Sequence, residues 1–279
     1  MKQVTLRLKG GLGNQFFIYT FGKLLEKRFN FKINYDLKTG FVVNKYKYRH
    51  IETNKPLLKF YFDDITEISF FKLIILQIAR KINYPTLFNI QYINEESDNF
   101  VECLNNLSDN NYNYYLEGYF QSYSLLKNTV NEIRSNINLN YFLSKNEIDL
   151  CESVKRKNSV AIQIRVNDYP VEYNQLFFKN AVNIVLKSID NPEFYLFSDN
   201  PKWCQNNLDL PKKFITIATG SDMKDFAVLA SCNNFILSVG TFGWWGAMLS
   251  NNAKKLVIYP KEYKGFINKD FYPKEWVEC

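Results

Sequence analysis

Two kinds of apolar periodicity alternate along this chain of 279 residues. Near the start, Val4, Leu6 and Leu8 alternate with polar neighbours, which is the period-two pattern of a strand, and the apolar residues at 16–28 are typical of a helix. The second half repeats this order and predicts a parallel sheet with helices on its faces. Its predicted strands are 159–166, 194–197, 213–217, 234–238 and 255–259, and its predicted helices are 174–189, 222–232 and 244–249.

The rest of the first half is less regular. Residues 31–35 are predicted to form a strand, and residues 114–122 a strand and turn followed by a helix towards 133. Another helix is predicted at 144–155. Residues 51–113 contain helical patches and loops, with an acidic, Asn-rich stretch at 94–111. The charged segment at 151–159 marks the predicted domain boundary, which gives an N-terminal domain of residues 1–155 and a C-terminal domain of residues 156–279.

The strand at 159–166 carries the most informative side chains. It ends before Pro170, because proline lacks a backbone donor and restricts the residue that precedes it. Arg165 and Asp168 are therefore expected where a strand ends, the edge at which open α/β sheets bind ligands. The alternative is an ion pair on a strand end with no ligand.

Composition narrows the functional classes. The chain is 46% hydrophobic and 23% charged, which is typical of a globular protein. Its net charge of +7 is compatible with an anionic substrate, an anionic membrane surface or simple solubility. Five widely spaced cysteines without a C-x-x-C pair predict free thiols in a reducing compartment. The single histidine, His50, and the absence of an Asp-x-Asp motif argue against a catalytic triad, a multi-histidine metal site and a carboxylate-held metal.

No signal peptide is evident at the N-terminus, so a cytoplasmic location is expected, with peripheral contact to the inner face of the membrane as an alternative. The most apolar run, residues 70–79, is much shorter than the ~20 residues that span a bilayer. Because Lys72, Arg80 and Lys81 flank this run, it is compatible with an interfacial helix on an anionic membrane. A buried core helix is the other interpretation.

A glycine-rich segment, residues 10–15, joins the first strand to the first helix, as in nucleotide-binding α/β units. It is not the dinucleotide fingerprint, because Phe16 stands where the third glycine is required. Such a segment either presents backbone N–H groups to an anion or only makes a tight turn. Three further strand ends, at 165–168, 198–199 and 240–242, are expected at the same edge. Together the four segments offer a guanidinium, hydroxyls and N–H donors. This combination suits a phosphorylated ligand handled without a metal.

Six segments in the same order resemble the α-1,2-fucosyltransferases of glycosyltransferase family 11. The sequence GGLGNQ resembles the family's N-terminal loop, QIRVNDY its H-x-R-R-G-D-Y motif, and FSDN its F-S-D-D segment. The remaining three are EGYFQS, TFGWWGA and YPKEW, at residues 117–122, 241–247 and 272–276. Gln163 and Val166 depart from the family's histidine and second arginine, and Asn167 from its glycine, whereas Arg165 and Asp168 match.

The resemblance implies an α/β fold of the GT-B-like type, with two Rossmann-like domains whose parallel sheets carry helices on both faces. It also implies inverting, metal-independent transfer of L-fucose from GDP-β-L-fucose to the 2-hydroxyl of a galactose, in surface polysaccharide or lipopolysaccharide synthesis. The C-terminal half would bind GDP-fucose, and the N-terminal half would hold a galactose-terminated glycan, which is lipid-linked in one version of this hypothesis. No cofactor, metal or nucleic acid is expected.

By the same resemblance, Arg165 would stabilise the charge that builds on the β-phosphate, since its fork of donors is rigid and always charged. Asp168 would be the general base or an orienting partner. Asp225 would bind ribose or guanine, and Asn14 the phosphates or the fucose. The full set of predicted substrate-binding residues is Gly11, Gly13, Asn14, Gln15, Tyr119, Gln121, Gln163, Ser198, Asp199, Asp225, Gly240, Thr241 and Phe242. Tyr119 and Gln121 could instead pack the turn. Trp244 and Trp245, at a helix start, are expected to pack in the core rather than to stack on a sugar.

Other functions stay open. Gln163 and Val166 would also suit a catalytically inactive relative that binds a nucleotide sugar or a glycan. A fucosyltransferase with a different acceptor would share the donor residues. A Rossmann dehydrogenase is disfavoured by Phe16, and a nucleic-acid module by the lack of a basic, aromatic stripe outside residues 45–50.

Overall fold

The structure is a computed structural model that describes residues 1–41, 55–82, 88–96, 104–105, 107, 111–166, 175–261 and 270–279. The described residues form two compact units, of which unit 1 runs up to residue 137 and unit 2 begins at residue 138. In both sheets every pairing is parallel. The expected α/β architecture of two parallel-sheet domains is therefore confirmed.

Unit 1 contains a four-stranded sheet in the order β2-β1-β4-β3. Val4 and Leu6 of the first strand, Gln3–Arg7, are fully buried, in agreement with their period-two pattern. The helix that follows this strand packs against the helix that follows β4. The elements are β1 Gln3–Arg7, α1 Leu12–Phe29, β2 Lys32–Asp36, a 3-10 helix Leu57–Phe60, α2 Phe70–Ile82, β3 Ile90–Asn94, β4 Asn113–Glu117 and α3 Tyr123–Asn136.

The helix α1 begins earlier than the sequence pattern predicts. Its N-cap is Gly11 and its first residue is Leu12 rather than Phe16, so four of the six residues of the predicted glycine turn, 12–15, form the first helical turn. The strand β3 was not predicted, because its residues lie in the segment whose pattern was irregular. The helix α2 does form at the apolar run and extends to Ile82.

Unit 2 contains a six-stranded sheet in the order β10-β9-β8-β5-β6-β7. All six residues of the central strand are buried, as expected for a parallel strand covered on both faces. The elements are α4 Lys145–Arg156, β5 Ser159–Ile164, α5 Gln175–Ser188, β6 Glu193–Ser198, α6 Pro201–Asn207, β7 Ile215–Ile217, α7 Asp222–Ala230, β8 Asn234–Leu237, α8 Thr241–Leu249, β9 Val257–Tyr259 and β10 Val277–Glu278.

Three elements of unit 2 differ from the predicted ones. The helix α6 was not predicted, and it forms because Asn200 accepts a hydrogen bond from the Trp203 N–H and Pro201 occupies the first helical turn. The helix α8 begins at Thr241 instead of Trp244. The short strand β10 pairs with β9 and was not predicted, since two residues are too few to show a pattern.

The division between the units falls earlier than the predicted boundary after residue 155. The helix α4 belongs to unit 2 because it packs against β5 and α7. Its start carries a capping box, in which Ser144 and Glu147 satisfy each other's backbone donors. Glu147 also forms an ion pair with Lys224 of α7, at 2.7 Å between Oε1 and Nζ.

Two properties of the described part of the chain bear on location and redox state. Among these residues, no helix has both the length and the apolar character needed to cross a membrane. Cys151, Cys204, Cys232 and Cys279 are free thiols, and the first three are buried. Cys103 and His50 lie outside the described residues.

Candidate functional site

Arg165 leaves the carboxyl end of β5 at the rim of a pocket in unit 2. Its backbone N–H donates to Ser238 Oγ at 3.2 Å, and its Nε lies 3.8 Å from Asp199 Oδ2. The other oxygen of Asp199, Oδ1, accepts the Val166 N–H at 2.7 Å. Because Asp199 binds the backbone and approaches the guanidinium, it fixes both the strand end and the position of Arg165.

The pocket beside Arg165 has a cavity volume of about 50 Å³ and is lined by polar groups from several strand ends. One cationic side chain faces three carboxylates across it, so it presents both an anion-binding group and acceptors for hydroxyl or amino groups. The predicted residues Gln163, Ser198, Asp199, Asp225 and Phe242 meet here. The lining residues are Gln163, Ile164, Arg165, Phe197, Ser198, Asp199, Asp222, Asp225 and Phe242.

Gln163 is buried on the floor of this pocket, with 4% of its surface exposed. Its Oε1 lies 3.5 Å from Ser238 Oγ, a long contact, and no hydrogen bond of its Nε2 occurs within the described ranges. The same Oε1 would be 2.6 Å from a Cβ on Gly243, which explains why α8 carries a glycine there. The amide of Gln163 is thus held against α8 while its donor group is left for a ligand.

The wall formed by Ser198 is tied to α6. Ser198 Oγ lies 3.2 Å from Cys204 Sγ and accepts the Asn200 N–H at 3.1 Å. Burial, which disfavours the thiolate, raises the pKa of the Cys204 thiol to about 11. Cys204 therefore supports the wall as a neutral thiol.

Asp225 lies in the first turn of α7. Its Oδ1 accepts hydrogen bonds from the Thr219 N–H at 2.8 Å and the Thr219 hydroxyl at 2.7 Å. No hydrogen bond to its Oδ2 occurs among the described residues, so that oxygen is available to the pocket. Asp222, one turn earlier, also lines the pocket and was missed from the sequence because it belongs to none of the quoted motifs.

The start of α8 supplies backbone donors at the same edge of the sheet. Gly240 is its N-cap, with φ 134° and ψ 157°, and nothing lies within 4 Å of the place where a Cβ would stand. Gly240, Thr241 and Phe242 are all partly exposed, so the first turn of the helix reaches the surface at this edge. Trp244 and Trp245, by contrast, are fully buried, and Trp244 Nε1 donates to Phe271 O at 2.8 Å. They belong to the core and not to a sugar platform.

The glycine turn of unit 1 has a different character. Gly10 has φ +78°, and a Cβ there would be 2.7 Å from Asn14 Nδ2 and 3.2 Å from the Tyr119 ring. Asn14 Oδ1 accepts a hydrogen bond from Gln121 Nε2 at 2.9 Å, and Lys9 Nζ lies 4.6 Å from the centre of the Tyr119 ring. The structure therefore brings the predicted residues Asn14, Tyr119 and Gln121 together.

Gln15 does not fit its predicted role. It is fully buried, and its Nε2 donates to Gly10 O at 3.0 Å and to Lys55 O at 2.8 Å, while its Oε1 accepts the Leu57 N–H at 2.8 Å. An amide bonded to three backbone groups is a structural cross-link and not a substrate ligand. Gly13 is likewise buried within α1, and Gly11 serves as its N-cap.

Two carboxylates near this turn were missed by sequence reasoning. Glu95 Oε2 accepts the backbone N–H groups of Tyr119 and Phe120, at 2.6 and 2.8 Å, and so shapes the turn that bears Tyr119 and Gln121. Glu117 accepts the Tyr92 hydroxyl at 2.8 Å and meets the cations Arg7, Lys9 and Arg80. Burial pushes the pKa of Glu117 upwards, but the Tyr92 hydrogen bond and the three cations outweigh it and hold that pKa below its ordinary value.

Two further expectations concern chemistry at the site. Asp168, the candidate base, lies outside the described residues. Within the ranges that the structure describes, no group of three or more His, Cys, Asp or Glu side chains could hold a metal ion. The donor set that is present, a guanidinium with hydroxyl, amide and backbone N–H groups, is suited to binding an anion directly.

Comparison with known proteins agrees with this geometry. The model of the family described as "Glycosyl transferase family 11" matches residues 3–279. The chain is 24% identical to an alpha-1,2-colitosyltransferase of Escherichia coli, over 99% of both chains. It is 27% identical to galactoside alpha-(1,2)-fucosyltransferase 1 of Saimiri sciureus, over 48% of this chain and 42% of the relative. Among solved structures, the NodZ α-1,6-fucosyltransferase co-crystallized with GDP superposes with a TM-score of 0.51 at 13% identity, over 89% of this chain and 92% of that one, which shows a shared GT-B-like fold.

Proposed function

The chain belongs to glycosyltransferase family 11, and on that premise we propose that it is an inverting fucosyltransferase. It transfers L-fucose from GDP-β-L-fucose to the 2-hydroxyl of a galactose in a glycan, with no metal ion and no cofactor. The observation that carries this proposal is the placement of Arg165, Gln163 and three carboxylates around one pocket at the strand ends of unit 2.

Arg165 supplies the electrostatic stabilisation that this reaction requires. When the bond between C1 of fucose and the phosphate oxygen breaks, negative charge develops on the β-phosphate of GDP. A guanidinium held in place by Asp199 meets that charge without reorganisation, and it stays protonated at any physiological pH. This supports departure of GDP as the free anion.

The N-terminus of α8 adds a second source of positive potential. Its first N–H groups have no partner within the helix, and its dipole favours an anion at this end. The partly exposed Gly240, with no side chain, lets a phosphate approach the backbone closely. Thr241 adds a hydroxyl in the same turn.

The carboxylates Asp222 and Asp225 are proposed to bind the nucleoside. Ribose hydroxyls and the N–H groups of guanine are donors, and the free Oδ2 of Asp225 is an acceptor. The anchored Oδ1 holds the carboxylate in one orientation, which would favour one pattern of donors over others. Ser198 would line the same nucleoside pocket.

The acceptor is assigned to unit 1. Asn14, Tyr119 and Gln121 present two amides and an aromatic ring, the groups that commonly bind sugar hydroxyls and the apolar face of a sugar ring. A base must remove the proton of the attacking 2-hydroxyl, and we assign this role to Asp168. The acceptor glycan is proposed to belong to a surface polysaccharide or lipopolysaccharide made in the cytoplasm.

The direct test is product formation. The purified protein is incubated with GDP-fucose and a panel of galactosides in the presence of EDTA, and products are identified by mass spectrometry and nuclear magnetic resonance. An α-1,2-linked fucosyl galactoside is the expected product, with GDP released in equal amount. Activity that appears only after Mg²⁺ or Mn²⁺ is added would contradict the metal-free mechanism, and a product linked elsewhere would contradict the assigned acceptor position.

Two alternatives are decided by the same assay. The full-length similarity to a colitosyltransferase makes GDP-colitose the competing donor, and a mixture of both donors shows which sugar is transferred faster. An inactive binding protein would instead bind GDP in titration calorimetry and yield no product with either donor. Binding of GDP that survives EDTA is expected in the active and the inactive case alike.

A further inference from the structure

The helix α2 of unit 1 is apolar on two opposite sides. Leu73, Leu76 and Ala79 are buried and pack with Ile90 and Tyr115 of the sheet. The other side is apolar as well and faces solvent. Its large side chains are exposed to 66%, 74%, 43%, 38% and 53%, in the order Phe70, Phe71, Ile74, Ile78 and Ile82.

The geometry of a helix makes these residues one continuous surface. Successive residues are rotated by about 100°, so residues 70, 74, 78, 71 and 82 fall within one sector that lies opposite the buried residues 73, 76 and 79. Lys81 is exposed within the same sector. We call these five apolar residues with Lys81 the outer face of α2. A water-exposed surface of this kind is unusual and marks a binding surface.

The charges around the outer face are positive. The thirteen residues of α2 include no acidic residue, and Lys81 is the cation of α2 that lies on the outer face. The other two cations of the helix point away from it, since Lys72 donates to Gln3 and Arg80 pairs with Glu117. Lys38 Nζ lies 5.9 Å from the centre of the Phe70 ring, beside the start of the helix, and is 53% exposed. Lys38 and Lys59 share one carboxylate, that of Glu67, at 3.5 and 2.8 Å, so this group of two cations and one anion stays net positive. The whole chain carries a net charge of +7. A partner that covers the outer face must therefore tolerate or attract cations.

The positive charge distinguishes between two partners that could cover the outer face, a second copy of the chain and a lipid surface. A second copy of the chain, paired through the same face about a two-fold axis, would bring equal positive charges towards each other. An anionic lipid surface instead attracts Lys81 and Lys38 and receives the phenyl and isoleucine side chains among its acyl chains. A helix of thirteen residues is about 20 Å long, which suits a position in the plane of the membrane.

We propose that α2 is an interfacial membrane helix, whose outer face inserts into the surface of an anionic phospholipid bilayer. The inner face holds the helix on the sheet of unit 1, so the protein docks as a folded body with one side chain layer in the lipid. This inference goes beyond fucosyl transfer and does not depend on it, because none of the outer-face residues belongs to the proposed site.

The test is co-sedimentation with vesicles made of equal parts phosphatidylglycerol and phosphatidylcholine. The variant Phe71→Glu/Ile78→Glu adds two negative charges to the outer face without touching the buried residues. The matched control is Leu186→Glu/Ile215→Glu, which makes the same change at two exposed apolar residues of unit 2, 55% and 49% exposed. Leu76 is unsuitable as a test position because it is 1% exposed and its replacement would unfold the helix.

The parent and the control should bind the anionic vesicles, and the outer-face variant should bind at least about tenfold more weakly. Vesicles of phosphatidylcholine alone should bind the parent less than the anionic ones. Equal binding by the parent and the outer-face variant, or no binding by the parent, overturns the proposal. So does a dimer of the parent, seen by light scattering, that dissociates in the outer-face variant without any vesicle binding.

A readout with a water-soluble galactoside keeps this test apart from the proposed function. The outer-face variant should transfer fucose to a soluble acceptor at the parental rate, since its site is intact. If neither protein transfers fucose while the difference in vesicle binding persists, the function is wrong and the membrane helix stands. If circular dichroism shows that the glutamate variant is unfolded, the milder variant Phe71→Ser/Ile78→Ser is tested instead. Weaker vesicle binding than the parent's is again expected.

Discussion

Two buried glutamines, Gln15 in the first turn of α1 and Gln163 in β5, show how differently the two units use the same side chain. Gln15 of unit 1 has all of its amide in use, bonded to three backbone groups at 3.0 Å or less. Gln163 of unit 2 lines the pocket, and its amide has one long contact, from Ser238 Oγ to Oε1, with no hydrogen bond of Nε2 among the described residues. Burial alone therefore does not separate a structural residue from a binding residue, whereas the hydrogen bonds already made by its polar atoms do.

The same distinction extends to their neighbours. In unit 1, Gly10, Asn14 and Tyr119 pack against one another so closely that a Cβ on Gly10 would collide. In unit 2, Gly240 has open space around it, and Arg165 and Asp225 each direct a polar atom into the pocket. We conclude that the turn of unit 1 is largely held together by its own polar groups and that the strand ends of unit 2 are kept open for a charged ligand.

The largest effect that this comparison predicts is at Arg165. Arg165→Ala should lower kcat by about a hundred- to a thousandfold, the scale for losing a preorganised donor to a developing anion. Arg165→Lys should recover little, since an ammonium cannot replace the bidentate fork. The measurement is kcat on protein shown by circular dichroism to be folded, with Arg156→Ala, an exposed arginine at the end of α4, as the control. Turnover within about threefold of the parent would place the chemistry elsewhere.

The next effect concerns Gln15. Gln15→Ala removes the side-chain hydrogen bonds to Gly10 O, Lys55 O and the Leu57 N–H, of which the last two also bond to each other, and should lower the free energy of unfolding by about 2 kcal/mol. Turnover of the folded variant, measured well below its melting temperature, should stay within about threefold of the parent. Urea denaturation and initial rates together make the test. If kcat drops while stability is unchanged, Gln15 contacts substrate and the comparison of the two glutamines fails.

Gln163 should behave in the opposite way. Removing one neutral hydrogen-bond donor to the ligand is worth about tenfold in kcat/KM, and Gln163→Ala should lose that much with a smaller change in stability than Gln15→Ala. Gln163→His, which introduces the residue of the family motif, is the informative partner variant. Recovery by histidine indicates that a donor at this position is what the ligand needs. An unchanged kcat/KM for Gln163→Ala would make the pocket floor structural.

The smallest predicted effect tests a purely structural carboxylate of unit 2. The Lys224 ion pair, followed by the hydrogen bonds of Ser144, lowers the pKa of Glu147 to about 2. A group whose pKa is lower in the folded state stabilises the fold above its unfolded value, near 4.5, and loses this contribution as the pH falls towards 2. Glu147→Gln should therefore melt at a lower temperature than the parent at pH 7. The difference between the two melting temperatures should disappear as the pH is lowered. Turnover at neutral pH should not change. A difference in melting temperature that stays constant as the pH falls would contradict the assigned ion pair.

Sequence periodicity was sufficient for the strands and helices that repeat a long apolar pattern. β1, β5, β6 and β8 and the helices α4, α5 and α7 lie within a few residues of their predicted positions. β3 and β10 could not be predicted, because one sits in a polar, irregular segment and the other has only two residues. Helix starts were placed too late at α1 and α8, because glycine and polar residues in a first turn carry no apolar periodicity.

The site could be predicted as far as motifs identify residue types. Arg165, Asp199 and Asp225 line one pocket. The first two were predicted from their positions at strand ends, and Asp225 from the resemblance to the family. The sequence does not show that the amide of Gln15 is already fully hydrogen-bonded, because two of its three backbone partners, Lys55 and Leu57, are 40 and 42 residues away. Glu95 and Glu117 were overlooked for a similar reason, since their importance comes from contacts across the sheet edge of unit 1.

The contact between Cys204 and Ser198 makes the opening of the pocket wall measurable as a rate. Cys204 is buried and its thiol has a pKa of about 11, so it reacts with an alkylating reagent only when α6 moves away and exposes the sulfur. Cys279 is more exposed than Cys204 and should react before it. The alkylation rate of Cys204 then reports how often this wall opens, and a donor that binds the closed pocket should slow it in proportion to its occupancy. The alkylation rate of a native thiol thus reports the rate of local unfolding beside the pocket, with no label introduced into the protein.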